Sequence, residues 1–475
     1  MANERRTFSR IHFEAETTVQ QNRTLWLVNL LDISLKGLLI DKPKDWDGDA
    51  NTPFHAAIHL NDSSHITMKI QQRHETDEHI GFECLHIDID SIAHLRRLVE
   101  LNIGDLALLE REVSALIDHI HYSIDHNINP RDTMKAIGYS ECLPIQDPLS
   151  LQDIELPQPV ATGSDLLIKV KAIAVNPVDS KIRHRVAAEQ GQYKVIGWDG
   201  VGEVVSLGDK ASLFKLGDQV FYAGDLNRQG CNAEYQLVDE RLVGHKPQNL
   251  TTADAAALPL TSITAWEMLF DHLTIKQQAP EHIVKTNEIL LIVGAAGGVG
   301  SILIQIAKAI TGATVIATAA RESSQSWVKK LGADYVIDHN KPLASQIKAL
   351  GIGPVTHIAS LNNTDAYFEA YTELLPPFGK IAMIDDPEAP LDVMKLKPKS
   401  LSLHIEFMFA RAMFNASDIA EQGRLLNRVA ELVDLGYLQT TTGKNLGLIN
   451  ADNLKAAHKA IESRSAIGKI VLQGF

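Results

Sequence analysis

Glu288-Ile-Leu-Leu-Ile-Val-Gly294-Ala-Ala-Gly-Gly-Val-Gly300, running on into Ser-Ile-Leu-Ile-Gln-Ile-Ala-Lys-Ala-Ile310, is the stretch on which the fold turns. No charged residue occurs from Ile289 to Ala307, a length that resembles a membrane span in a hydropathy scan. Its glycines argue otherwise. Gly294, Gly297, Gly298 and Gly300 sit between a β-branched segment and a helical one, and Gln305 and Lys308 follow. The stretch therefore reads as strand, tight turn and buried helix. A second strand, Thr-Val-Ile-Ala-Thr-Ala319, begins about twenty residues after Gly294. Backbone amides at such a helix N-terminus cradle a pyrophosphate. The order strand, glycine turn, helix, strand makes Ala295, Ala296, Gly297, Gly298, Val299 and Gly300 a dinucleotide cradle of the form AxGxxG.

The end of that second strand chooses between cofactors. An NAD site closes on Asp or Glu, which binds the ribose 2′-hydroxyl, whereas here the chain reads Ala317-Thr318-Ala319-Ala320-Arg321. Arg321 suits a 2′-phosphate, so NADPH is expected, with Thr318 beside it. Further along, SQSWVKKLG and YVID continue the alternation of helix and strand that builds a parallel, doubly wound α/β sheet. Upstream, from Met134 to about residue 255, strand-like segments with frequent Gly and Pro predict a β-rich lobe. The terminal KAAHKAIESRSAIGKIVLQGF reads as a helix followed by a strand.

The N-terminal part is a different unit. The chain has 475 residues and a net charge of -14, and residues 1–133 hold 13 Lys/Arg against 22 Asp/Glu and 11 of the 19 histidines. An acidic chain without a cationic stripe excludes an extended nucleic-acid surface. Cys84, Cys142 and Cys231 are isolated, and the N-terminus has no apolar signal region, so a reducing cytoplasm is the expected location. The segments LWLVNLLDIS, GLLID, FHAAIHL, HITMKIQQ and IGFECLHID alternate as short antiparallel strands of a compact β-barrel or sandwich. From Ser91 the spacing becomes that of an amphipathic helix, and HYSIDHNINPRDT reads as a linker, with the boundary at 125–133. His74-Glu75 to His79 is not the HExxH spacing of a zinc helix, and Asp45, Asp47 and Asp49 lack the Gly and Glu of a calcium loop.

Within this acidic unit Arg5, Arg6 and Arg10 crowd into six residues, and Asp32-Ile33-Ser34-Leu35-Lys36-Gly37 follows. Guanidinium groups bind phosphate in a fork and also engage guanine, a carboxylate accepts from guanine N–H groups, and glycine permits a tight turn. The pair RxxxR and DxSxxG resembles the PilZ domain over about residues 1–120. That resemblance implies a β-barrel that binds cyclic di-GMP through Arg5, Arg6, Arg10, Asp32, Ser34 and Gly37.

From Met134 to Phe475 the motifs VNPVDSKIR, IGWDGVGEVVSLG, GDQV, LPLTSITAWE, GAAGGVG, KKLGADYVID and IGKIVL resemble the medium-chain dehydrogenase/reductase superfamily, in its zinc-type alcohol-dehydrogenase-like and quinone-oxidoreductase branch. The resemblance implies a GroES-like catalytic domain over 134–260, completed by about 400–475, and a Rossmann domain over 261–400, after a PilZ domain over 1–124 and a linker over 125–133. Members with catalytic zinc carry Cys where this chain has Asn176-Pro177-Val178-Asp179 and His-Glu where it has Trp198-Asp199, so no zinc is expected. Hydride from NADPH to a quinone or an α,β-unsaturated carbonyl is the reaction implied, since an unactivated alcohol would need a Lewis acid.

By the same resemblance Asn176 and Lys181 face the nicotinamide pocket, Asp179 braces their loop, Thr264 contacts the cofactor near the nicotinamide ribose, and His339 lies near the adenosine phosphate. Lys181 stands where related quinone reductases often carry Tyr. The run Phe407-Met408-Phe409 to Phe414 suits core packing more than a substrate pocket. The superfamily is often dimeric, so a homodimer is an expected arrangement, and no polymeric nucleic acid or membrane span is expected. A second reading stays open, in which the C-terminal fold binds cofactor without turnover as a scaffold, or turns over uncoupled from the barrel.

Overall fold

The computed structural model describes residues 11–21, 24–34, 37–50, 52–61, 64–87, 91 and 133–475. The chain separates into two compact units, Met1–Arg131 and Asp132–Phe475. In the first, the strands Ile11–Gln21, Thr24–Ser34, Gly37–Asp41, Phe54–Asn61, Ser64–Glu75 and His79–Ile87 form a closed antiparallel barrel. Closure comes from the first and fourth strands, paired from Thr17↔Ile58 to Gln20↔His55, so the sheet has no free edge. Alternate residues Trp26, Val28 and Leu30 point inward with Val19, Leu38, Ile58 and Ile70. Trp46 stacks on Phe54 at 5.3 Å, and Phe82 meets Phe54 edge-on at 5.4 Å.

The expected strand segments are all strands, and the barrel has one more. Ile11–Gln21 escaped notice because its buried positions include Thr17 and Gln21, which hide the alternation. Gln21 is inside because its amide is used up. Nε2 donates to the carbonyls of Asp49 and Thr52, and Oε1 accepts from the Asp49 N–H, all within 2.9 Å. His74 and His79 lie on successive strands of a hairpin, not on a helix. The helix expected after Ser91 and the linker up to residue 132 lie outside the described residues.

The second unit has two lobes. One is a six-stranded parallel sheet in the spatial order Tyr335–Ile337, Thr314–Thr318, Ile289–Val293, His357–Ser360, Lys380–Met383, Ser402–Ile405. This is the 3-2-1-4-5-6 order of a doubly wound fold, with the chain reversing direction across the sheet beside Ile289–Val293, the place at which such folds bind their ligands. Every residue of Ile289–Val293 and of Thr314–Thr318 is buried, as a sheet covered by helices on both faces requires.

The β-rich lobe is a seven-stranded sheet whose hub is the long strand Asp165–Val175. It pairs with Gly200–Leu207, with Tyr235–Asp239 and with the last strand, Lys469–Gln473. The chain thus returns from the parallel sheet to finish the lobe it began, and its end lies against residues some 300 positions earlier. Among the described residues no helix is long and apolar enough to cross a membrane.

Candidate functional site

The glycine turn is built by close approaches. Gly294 has φ of 83°, in the left-handed region that favours glycine, and its N–H donates to Thr318 Oγ1 at 3.1 Å. A Cβ on Gly300 would stand 2.5 Å from Ala295 Cα, and one on Gly298 would stand 2.7 Å from Lys469 Cδ. Helix Gly298–Ile310 starts here, and Trp327 Nε1 holds Ser301 Oγ at 2.8 Å. The half-buried turn, opening into a helix N-terminus, fits a pyrophosphate. Thr318 is buried and serves the turn from below. Arg321 is exposed, with Nη2 donating to the Ser465 carbonyl at 3.0 Å. The His339 carbonyl accepts from the Tyr367 hydroxyl at 3.2 Å. Thr264 is buried in helix Pro259–Trp266 and donates to the Leu260 carbonyl.

The opposite wall begins where strand Asp165–Val175 ends. Pro177 fixes the first turn of helix Pro177–Arg185, and Asp179 Oδ2 accepts from the Asn176 N–H. Both ends of the Asn176 amide are engaged: Nδ2 donates to Asp199 Oδ2 at 2.7 Å, and Oδ1 accepts from Lys469 Nζ. Lys469 Nζ also donates to Asp199 Oδ2 at 2.8 Å and to the Val175 carbonyl at 3.0 Å. Asp199 Oδ1 accepts from the Leu260 N–H at 2.7 Å, at the start of helix Pro259–Trp266. Asn176, Asp179, Asp199 and Lys469 are each no more than 3% exposed.

Burial pushes the Asp179 carboxyl up to about 7, against the lowering pull of the Asn176 N–H and of Lys469. Its Oδ1 has no hydrogen-bond partner among the described residues. Asp199 is also pushed up by burial, opposed by Lys469 and by the bonds from Asn176 and Leu260. Lys181 stands apart from this cluster at the rim, 3.3 Å from Asp386 on the parallel-sheet lobe, and Arg185 reaches the same carboxylate at 3.1 Å. Burial works to raise the Asp386 carboxyl, but the two cations hold it below the usual range.

The sequence reading brought Asn176 and Asp179 to this place but missed Lys469, and it treated Asp199 only as a missing zinc ligand. Asp199 and Lys469 are 270 positions apart, and no local pattern joins them. The one available signal was a lysine beside glycine in IGKIVL, in a strand otherwise apolar. Zinc does not fit this donor set. Asn176 stands in place of the thiolate and Trp198-Asp199 in place of His-Glu, and an ammonium already lies between the amide and the carboxylate. Trp198 turns its Nε1 to the Asp225 carbonyl, and Cys231 Sγ is taken by the Asp199 carbonyl at 3.4 Å. Met408 and Phe409 are buried, as core packing implies, while Phe407 and Phe414 are exposed.

On the barrel, Asp32 is half-buried and in register with His12 and Leu39. Ser34 is buried and donates to the Gly37 carbonyl at 3.3 Å. A Cβ on Gly37 would fall 2.1 Å from the Phe82 carbonyl oxygen, so only glycine fits there. Arg5, Arg6 and Arg10 lie outside the described residues.

The comparisons with known proteins agree with this architecture. Residues 4–101 match the PilZ domain, 162–248 the alcohol dehydrogenase GroES-like domain, and 298–421 the zinc-binding dehydrogenase family. A zinc-type alcohol dehydrogenase-like protein of Staphylococcus epidermidis is 40% identical over 339 residues, which is 71% of this chain and 99% of that protein. A crystal structure described as a putative zinc-dependent alcohol dehydrogenase from Rhizobium etli is 51% identical. It superposes with a TM-score of 0.68 and covers 72% of this chain and 99% of that one. A 2-methylene-furan-3-one reductase of Solanum lycopersicum is 32% identical over 300 residues, 58% of this chain and 72% of that protein. Carrying a PilZ domain ahead of its GroES-like and Rossmann lobes, the chain belongs to the zinc-type alcohol dehydrogenase-like proteins of the medium-chain dehydrogenase/reductase superfamily, a superfamily of oxidoreductases.

Proposed function

We propose that the second unit is a zinc-independent reductase that uses NADPH to reduce quinones or α,β-unsaturated carbonyl compounds. The observation that carries this reading is the donor set around Asn176, in which the ammonium of Lys469 lies where zinc-dependent relatives gather metal ligands. Oxidation of an unactivated alcohol relies on a Lewis acid to stabilise the alkoxide, and the described residues hold no group of three His, Cys, Asp or Glu side chains placed to bind one. A bound dihydronicotinamide supplies a hydride. The chain's own part is then to bind, orient and stabilise.

Ala295–Gly300 present amides to the pyrophosphate, Arg321 takes the 2′-phosphate, and His339 lies along the adenosine side. Thr264 supports the wall beneath the nicotinamide ribose. Asn176 and Asp179 fix the loop facing it. Lys181, held at the rim by Asp386, offers positive charge to an acceptor oxygen as that oxygen gains charge, and water supplies the proton. An enolate or hydroquinone oxygen needs no stronger acid. The name of the tomato relative describes reduction of a methylene-furanone, which supports an activated carbonyl as the substrate class.

We further propose that the barrel binds cyclic di-GMP through Arg5, Arg6, Arg10, Asp32, Ser34 and Gly37. The domain limits proposed are 1–124, 125–133 as linker, 134–260 with 400–475, and 261–400. The test is oxidation of NADPH by the chelator-treated full chain with a panel of quinones and enones. Turnover that survives the chelator is expected. Turnover lost with the chelator and restored by zinc overturns the reading, and dinucleotide binding without oxidation by any acceptor favours the scaffold.

A further inference from the structure

We propose that Lys469 is a positioning residue, a built-in cation that ties the pyrophosphate cradle to the loop of Asn176, so that filling the cradle alone orders that loop. The inference rests on the reading of the glycine turn as a dinucleotide site. It starts from the two ends of one side chain. The methylene stem of Lys469 lies against the glycine turn, where a Cβ on Gly298 would come within 2.7 Å of Cδ. The main chain reinforces this contact, because the Gly468 N–H donates to the Ala296 carbonyl at 2.9 Å and Gly297 and Gly468 form a parallel bridge. The ammonium end is bound to the Val175 carbonyl, Asn176 and Asp199. Through Asp199 it also reaches the Leu260 N–H, the first turn of the helix that carries Thr264.

One residue therefore touches the cradle, the end of the hub strand and the start of helix Pro177–Arg185, and through Asp199 it is joined to the start of helix Pro259–Trp266. Burying an ion pair brings little or no net stability compared with apolar packing of the same volume. A fold that needed only adhesion here would do as well with a Met and a Leu. What the pair adds is direction: the ammonium donates to three named oxygens, and Asn176 can satisfy both partners in only one orientation of its amide. The cradle and the facing loop are thus fixed to each other by charge-assisted bonds, and a phosphate that immobilises Ala296–Gly298 removes freedom from the lysine stem packed on them.

The test uses hydrogen–deuterium exchange of the full chain with 2′-phospho-ADP-ribose, which fills the cradle but has no nicotinamide to touch the Asn176 loop. In the wild type this ligand is expected to slow exchange both in the glycine turn and in the segment 174–180, the latter by about fivefold or more. In Lys469→Met/Asp199→Asn, which removes both charges together, slowing is expected in the glycine turn alone, whereas the single variant Lys469→Arg, which keeps the cation beside Asp199, is expected to retain both effects. Should the double variant not fold, Asp199→Glu, which moves the carboxylate by one methylene, takes its place with the same expected loss. Equal slowing of 174–180 in wild type and variant overturns the role of Lys469, as does a wild type in which only the glycine turn responds. A wild type in which neither segment responds overturns instead the dinucleotide reading beneath it.

Discussion

The barrel and the dehydrogenase unit bury different things. Among the described residues, the polar groups inside the barrel unit are uncharged: Thr17, Gln21, Ser34, Gln72 and Ser91. The dehydrogenase unit buries the ionisable side chains Asp179, Arg183, Asp199, Glu240, Glu267, Glu406, His458 and Lys469. A closed barrel satisfies its backbone by ring closure and keeps Asp32, Ser34 and Gly37 at the ends of strands. A fold of two lobes must hold loops from distant parts of the chain against each other, and it does so here with charge. Glu267 and Glu406 repeat the theme away from the cleft: burial and each other's proximity raise Glu267, Arg411 bonds to it, and His272 holds Glu406 at 2.7 Å. The interior charges, not the apolar core, are where solution conditions reach this protein.

The largest effect that would break the contrast is pH-dependent stability. Asp179 in the folded state titrates near 7 against an ordinary value of 3.8. Between those limits the unfolded carboxyl is ionised while the folded one still holds its proton, so unfolding releases a proton and stability falls as pH rises. The slope vanishes below the unfolded value and again above about 7. The full shift corresponds to about 4 kcal/mol. Asp179→Asn, an uncharged side chain of the same shape, is expected to raise the melting temperature of the dehydrogenase unit at pH 7.5 and to leave it little changed at pH 4, with the barrel's transition unmoved. In the barrel Glu75 goes the other way: the hydrogen bond from Lys42 holds its carboxyl below the usual range. An Asp179→Asn chain that melts like the wild type at both pH values would place the carboxylate outside the balance.

What could be read from the sequence follows the same division. The cradle is contiguous, so Gly294 to Gly300 and the strand after it announced the sheet and put the proposed pyrophosphate residues in one turn. The barrel's strands announced themselves wherever alternate residues are apolar, and Ile11–Gln21 did not because glutamine and threonine point inward. Asn176 and Asp179 were found through their motif, yet their occupation was not, because the partners of Asn176 arrive from positions 199 and 469. A hydrogen-bond cluster closed by the last strand of a fold leaves no periodicity and no spacing to read. The arginines of the N-terminal arm are the converse, a legible local pattern whose geometry lies outside the described residues.

That arm supplies the next test of the contrast. If the two proposed sites are separate, Arg6→Ala or Arg10→Ala weakens cyclic di-GMP binding and leaves NADPH turnover unchanged. Loss of a charge-assisted contact to phosphate is worth about 1.5–3 kcal/mol, or roughly 10- to 150-fold in affinity by titration calorimetry. Equal loss of nucleotide affinity and reductase activity would merge the sites. The barrel's Gly37→Ala is a harsher version, because its Cβ has no space beside the Phe82 carbonyl.

Arg321 carries the smallest effect and the finest distinction. Its guanidinium is exposed and already donates to the Ser465 carbonyl, four residues before Lys469. Two roles are therefore superposed on one side chain: selecting the 2′-phosphate and holding the segment that leads into the last strand. They separate by comparing cofactors. If selection dominates, Arg321→Ala weakens NADPH binding by about tenfold, near 1.4 kcal/mol, and leaves NADH binding as it was. If the tie to Ser465 dominates, both dinucleotides lose affinity together, since the disturbance then passes through Gly468 and Lys469 to the cradle they share. Arg321→Lys sharpens the choice. It keeps a charge for the phosphate but loses the fork that reaches the carbonyl, so a selective role retains most NADPH preference in the lysine variant and a tethering role does not.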